Sequence, residues 1–274
     1  MPSHLIFLTL FAALLHAGWN VLLRSGDDRL WSMSIMCLTI AALCVPIALF
    51  MPLPNRACWP YALLSALLHV GYNLCLVRSY HSGELGQSYP IARGSSPLMV
   101  TCAAVIAAGE KIEQHVLTGI MLISGGILLL ATGGKARMPD WRYPLATGAF
   151  IAAYSVVDGI GVRLSGSALC YTLGMSACWG VLMPVIYIAL RDAKSLLRWR
   201  PGMPRAVAGG LVSLLAYGII IAVMASAPMG AVSALRETSV LFAAVLGTLF
   251  LGERLTIGKI VACAGIAAGA FVTK

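Results

Sequence analysis

Charge is scarce in this chain of 274 residues. Asp, Glu, Lys and Arg make up 11% of it, where a soluble domain carries roughly 25%. That alone excludes an ordinary soluble enzyme or nucleic-acid-binding domain, although the net charge is +9. The eight cysteines (37, 44, 58, 75, 102, 170, 178 and 263) contain no CxxC pair, the spacing that zinc or redox sites use. They read as small packing residues inside apolar stretches. HExxH, GxSxG and paired aspartates in a protease-like context are all missing, and the polar connections are too short to build a catalytic site. No cofactor, no metal and no enzyme activity are expected. Residues 1–23 lack a basic start and an AxA-like cleavage site, so they read as a first spanning helix rather than a removed signal peptide.

Apolar sequence fills the chain instead: 59% of residues are hydrophobic and the mean hydropathy is +0.88. A spanning helix takes about 20 mostly apolar residues. The expected fold is an all-α integral membrane protein, with ten transmembrane helices as two inverted five-helix repeats around a central cavity. The spans fall at about 4–23, 31–51, 60–79, 85–108, 115–133, 144–163, 169–190, 206–226, 229–251 and 255–272. Trp31, Trp59, Trp141 and Trp199 stand near span ends, where amphipathic rings prefer the headgroup level. The polar stretch Lys135 to Arg142 marks the midpoint, giving repeats over 1–134 and 144–274 joined by 135–143.

The halves match residue by residue. One constant offset pairs Arg93 with Arg236, Ser95 with Thr238, Ser96 with Ser239, Gly109 with Gly252, Glu110 with Glu253 and Lys111 with Arg254. In the first helix of each half, His16 faces Tyr154 and Asn20 faces Asp158; in the second, Pro46 faces Pro184. The match is weakest in the third and eighth spans, where His69 and Asn73 face Ser213 and Tyr217 after a one-residue slip. Five spans is an odd number, so the halves enter the membrane in opposite directions, an inverted repeat. Of the 19 Lys and Arg residues, 13 fall on one side, from Arg24 and Arg29 to Arg254 and Lys259, and only Arg56, Lys111, Arg163 and Lys274 on the other. The positive-inside rule then places both termini outside.

Among the acidic residues only Asp158 and Glu237 lie well inside spans, and among the basic ones only Arg93 and Arg236. An unpaired charge there is costly. Two readings stay open: the four pair permanently and hold the halves together, or an arginine receives the anionic end of a substrate. Arginine suits carboxylate, phosphate or phosphonate through its planar fork. Tyr89 and Ser96 share the Arg93 face of the fourth span. Pro90 and Pro97 bracket it, implying either local unwinding toward a cavity or a simple kink. His16 and Asn20 lie four apart, as do Tyr154 and Asp158, so both faces are expected to look into one central space. Asp158 is the first candidate for proton coupling, with Glu237 and His16 beside it; the competing reading of Asp158 is a static partner for an arginine. Trp19, Tyr72, Asn73, Tyr154 and Tyr217 are candidate walls, against plain core packing. Gly265 and Gly269 with Gly125 and Gly126 offer a small-residue contact, within the monomer or between two subunits.

The two sets of five spans, the exits Gly109-Glu110-Lys111 and Gly252-Glu253-Arg254, and the glycine-rich fifth and tenth helices together resemble the EamA family of the drug/metabolite transporter superfamily. The resemblance covers the whole chain. It implies a secondary carrier of small organic molecules, often an exporter of amino acids or other metabolites, with a cavity between the halves and helices five and ten at its edge. It also implies a bacterial inner-membrane location, with a small-molecule substrate and the lipid bilayer as partners, no nucleic acid, and a monomer or homodimer. Two features depart from the pattern. The first helix lacks the glutamate of related four-span carriers, and family members have cytoplasmic termini where the charge count puts them outside. A flippase-like component handling lipid-linked sugars is the alternative within the superfamily, and a membrane-embedded enzyme the alternative outside it.

Overall fold

The computed structural model describes residues 1–24, 26, 28–82, 85–132, 141–243 and 257–273. Among them all regular structure is helical: α1 (Ser3–Arg24), α2 (Arg29–Phe50), a 3-10 turn (Arg56–Cys58) leading into α3 (Trp59–Ser82), α4 (Leu85–Ala108) and α5 (Gln114–Thr132). The second half supplies α6 (Arg142–Ser165), α7 (Ala168–Leu190), the short α8 (Ala193–Leu197), α9 (Met203–Met224), α10 (Met229–Arg236) and α11 (Ile257–Val272). Seven helices (α1–α4, α6, α7 and α9) are long and apolar enough to cross a bilayer, and α5 and α11 are shorter apolar helices. The ten expected spans are therefore not all present as full-length helices among the described residues. Glu253, its Gly252 and Arg254 neighbours and most of the 135–143 connection lie outside them.

Short polar residues set several helix starts, because the first N–H groups of a helix need acceptors. Asp28 accepts from the Trp31 N–H at 3.1 Å, Ser167 from Cys170 at 3.3 Å and Asp192 from Ser195 at 2.6 Å. Gly166 ends α6 at φ 76° and Gly109 ends α4 at φ 64°, the left-handed region that glycine enters without a Cβ penalty.

The packing pattern maps onto itself when the halves are exchanged. α1 packs on α9 as α6 packs on α3, α2 on α9 as α7 on α3, and α4 on α6 as α10 on α1. The pairs α2–α7 and α5–α11 join equivalent helices of the two halves. Glycine makes the α5–α11 contact close: a Cβ on Gly126 would lie 2.9 Å from the Ala262 carbonyl oxygen, and one on Gly269 2.7 Å from that of Gly119. These small residues are used inside the chain.

Polarity runs opposite to that of a soluble protein. Phe50 is 91% exposed, Ile106 85% and Ile257 82%, whereas Arg93, Arg236, Asp158 and Glu237 are all buried. A rim of apolar side chains around buried charge suits a lipid surround, where every polar group must be satisfied within the protein.

One open alternative is decided and one expectation is corrected. α4 runs unbroken through Pro90 and Pro97, so the backbone beside Arg93 does not unwind. The interruption comes in the other half, inside the segment read as one span over 229–251. α10 ends at Arg236, Glu237 and Thr238 form a turn, and helix resumes at 239–243. Bonds there tighten to i→i−3, with Thr238 N–H on the Leu235 carbonyl at 3.1 Å and Val240 N–H on that of Glu237 at 3.1 Å. The turn places two consecutive ionic residues at the centre of the protein.

Candidate functional site

Glu237 is the meeting point of both arginines. Nη1 of Arg93 lies 3.2 Å from each of its carboxylate oxygens. Nη2 of Arg236 donates to Oε1 at 3.2 Å, and Nε reaches the same oxygen at 3.4 Å. The repeat-related arginines thus converge on one carboxylate, two cations to one anion. Nη1 of Arg236 is buried with no hydrogen-bond partner among the described residues. A guanidinium nitrogen in that position carries donors that a small anion would satisfy.

His16 connects this cluster to its surroundings. Its Nε2 faces Nη2 of Arg93, and the Trp19 indole N–H points at its Nδ1 over 3.1 Å. Both neighbours can only donate, whereas a neutral imidazole has one accepting nitrogen. Asn20 donates to the His16 carbonyl at 2.8 Å, holding that turn of α1. Ser96 returns its hydroxyl to the Arg93 carbonyl at 3.2 Å. The Tyr89 side chain lies outside the described residues.

Asp158 stands apart from the arginines. Its oxygens accept from the Tyr171 hydroxyl at 2.8 Å and the Tyr217 hydroxyl at 2.5 Å. Of the pairings that one of the two open readings requires, the structure contains those of Glu237 with both arginines, whereas Asp158 is met by tyrosines on α7 and α9. Tyr217 belongs to an aromatic group: its ring meets Tyr154 at 5.6 Å and His69 at 5.1 Å. His69 stacks on Tyr154 at 4.0 Å and on Trp179 at 5.3 Å. Its Nδ1 is 2.9 Å from the Ser65 carbonyl, which only a protonated Nδ1 can satisfy and which leaves Nε2 as the free lone pair.

Between these clusters lies an apolar-aromatic cavity of about 40 Å³. His16, Trp19, Tyr72, Asn73, Tyr154 and Tyr217 line it, along with His69 and Trp179. The Trp179 indole nitrogen is a second buried donor without a partner among the described residues. His16 links the cavity to the arginines, and Tyr217 links it to Asp158. Arg93, Arg236, Asp158 and Glu237 back the wall without lining it. The volume admits a water or two and is far below the roughly 300–1,000 Å³ of a small-molecule pocket, so this conformation is closed around its centre.

Polar contacts also link the halves at two further places. At one, Glu110 accepts the α10 N-terminal Met229 N–H at 2.9 Å and the Arg163 guanidinium at 2.7 Å. Arg163 also donates to the Met224 and Ala227 carbonyls that end α9, at 3.1 and 2.8 Å. At the other, Asp28 binds Arg191 and, at 3.1 Å, Arg200. Burial raises the Asp28 carboxyl, but bonds from Arg191, the Trp31 N–H and Arg200 outweigh it and hold the group below the ordinary aspartate value.

An apolar exterior around buried charge, with seven helices long enough to cross a bilayer, defines a multi-pass membrane protein. The sequence profile of the EamA-like transporter family matches residues 4–132 and again 143–274. The chain belongs to that family, within the drug/metabolite transporter superfamily, and is a multi-pass membrane protein. A protein of known crystal structure has the same fold, with a TM-score of 0.75 over 98% of this chain and 95% of its own at 16% identity. No curated protein matches the chain by sequence.

Sequence reasoning missed Tyr171, His69 and Trp179 as parts of the site. His69 entered only as a repeat position, and Tyr171 has no spacing relation to Asp158 that a helical period would reveal.

Proposed function

We propose that this protein is a secondary active exporter of a small anionic or zwitterionic metabolite, amino-acid-like in size and charge, with no catalytic step. Substrate passes through the space between the two inverted halves, with the aromatic group of His69, Tyr72, Tyr154, Trp179 and Tyr217 as its walls. The observation that carries this reading is the surplus cation, Arg236, whose Nη1 has no acceptor among the described residues. An incoming carboxylate neutralises it, and Trp179 offers a further N–H nearby. Asp158 is the proton-coupling group: its tyrosine partners sit on α7 and α9, so its protonation acts on the helices that frame the cavity. The membrane is a bacterial inner membrane, and the 13-to-4 distribution of basic residues favours external termini.

The test is transport into proteoliposomes of a metabolite panel, with and without a proton gradient. Arg93→Ala and Asp158→Asn should abolish transport while leaving insertion and folding intact. Unchanged rates in both variants would refute the site.

A further inference from the structure

We infer that the α7–α9 connection is a binding site for the phosphate of an anionic phospholipid, formed by Lys194 and Arg198. This goes beyond cargo transport and rests on different residues. A surface pocket of about 530 Å³ opens here, lined by Asp192, Lys194, Ser195, Arg198, Trp199 and Arg200. Three cations and one carboxylate line it, on the side of the protein that holds 13 of the 19 basic residues.

The pocket is a formed structure. Asp192 is occupied in capping Ser195 at 2.6 Å. Leu196 is buried, and its carbonyl accepts the Trp31 indole N–H at 3.0 Å, fastening α8 to α2. Arg200 is held twice, by Asp28 at 3.1 Å and by stacking over Trp31 at 4.7 Å. Lys194 and Arg198 differ from Arg191 and Arg200 in having no acidic partner among the described residues. Their charge is available to a ligand from outside the chain.

The rim selects a lipid over a soluble phosphate. Trp199 lines the pocket and is 69% exposed, and Leu190 and Leu197, within two residues of lining positions in the chain, are 62% and 68% exposed. Aliphatic side chains and an indole at a span end belong at the acyl–headgroup boundary. A phosphodiester headgroup can sit between Lys194 and Arg198 while its acyl chains lie along Leu190 and Leu197. Basic pockets at membrane depth recognise anionic headgroups in this way.

Full-length protein in detergent is titrated with phosphatidylglycerol, phosphatidylcholine or free glycerol phosphate, with bound lipid read by native mass spectrometry and unfolding temperature measured in parallel. Phosphatidylglycerol should bind and stabilise; the other two should not. Arg198→Gln should weaken phosphatidylglycerol roughly fivefold and Lys194→Gln/Arg198→Gln roughly 30-fold. Arg56→Gln/Lys111→Gln, on the opposite face, should leave it unchanged. Equal stabilisation by free glycerol phosphate would overturn the lipid assignment. Equal phosphatidylcholine binding, or unweakened phosphatidylglycerol binding in both Lys194 and Arg198 variants, would overturn the site itself.

Discussion

Glu237→Gln and Arg236→Gln remove opposite charges from one buried cluster, and the geometry assigns them unequal costs. Glu237 is the shared acceptor, with Nη atoms of Arg93 and Arg236 each 3.2 Å from Oε1. Its replacement leaves two guanidiniums facing each other without an anion. Breaking a buried ion pair by losing one partner costs about 3–5 kcal/mol. Arg236→Gln instead leaves the two contacts of Arg93 with Glu237 in place and takes away the cation that lacks a full set of acceptors. Its cost should stay within about 1 kcal/mol. The pair also interacts: adding Arg236→Gln to Glu237→Gln should recover at least about 1 kcal/mol, a coupling that a double-mutant cycle measures directly. Denaturant or thermal unfolding in detergent reads the stabilities, and proteoliposome uptake reads function alongside. Glu237→Gln should lose stability, and Arg236→Gln should keep stability and lose transport. Equal destabilisation by both would refute the reasoning, since Arg236 would then be a structural partner rather than a docking point.

Other consequences follow from the packing and the surface charge. Gly126→Leu should lower stability by about 1–3 kcal/mol through overpacking, because a Cβ there meets the Ala262 carbonyl oxygen at 2.9 Å. Gly125→Leu, one position away with nothing within 4 Å, should leave the unfolding temperature nearly unchanged. Asp28 has a folded pKa below its unfolded one, so its contribution is complete above the ordinary aspartate value of about 3.9 and is lost as pH falls through the folded value. Half-exposed ion pairs contribute at most about 1 kcal/mol, and Asp28→Asn should remove that part of the acid-limb slope in a pH series of unfolding temperatures.

The repeat was the readable part of this chain. A constant offset between two apolar segments picks out Arg93 and Arg236, and the structure brings both onto Glu237. Helical spacing likewise predicts that His16, Asn20, Tyr154 and Asp158 look into one space; His16 and Tyr154 line the cavity, and Asn20 and Asp158 do not. Gly126 and Gly269 sit in the α5–α11 contact that small-residue spacing suggests. What escaped were contacts without local periodicity. Tyr217 reaches Asp158 from 59 residues away, and only the placement of α9 against α6 brings them together. Proline left unwinding and a kink both open, and Pro90 and Pro97 sit in an unbroken helix, while the turn at Glu237 and Thr238 has no proline to mark it. The turn brings one carboxylate within 3.2 Å of both arginines, a tertiary contact with no local signature. Glu110 reads in sequence as the end of a span, and nothing local shows that it caps α10 across the halves.

Accumulation of carboxylate-bearing metabolites in proteoliposomes, compared between the native protein and Arg236→Gln at matched folded content, probes the buried cation most directly. The native protein should accumulate at least one anionic or zwitterionic solute, and the variant should accumulate none of them. Native-like accumulation by Arg236→Gln, or native transport confined to cationic and neutral solutes, would contradict the account.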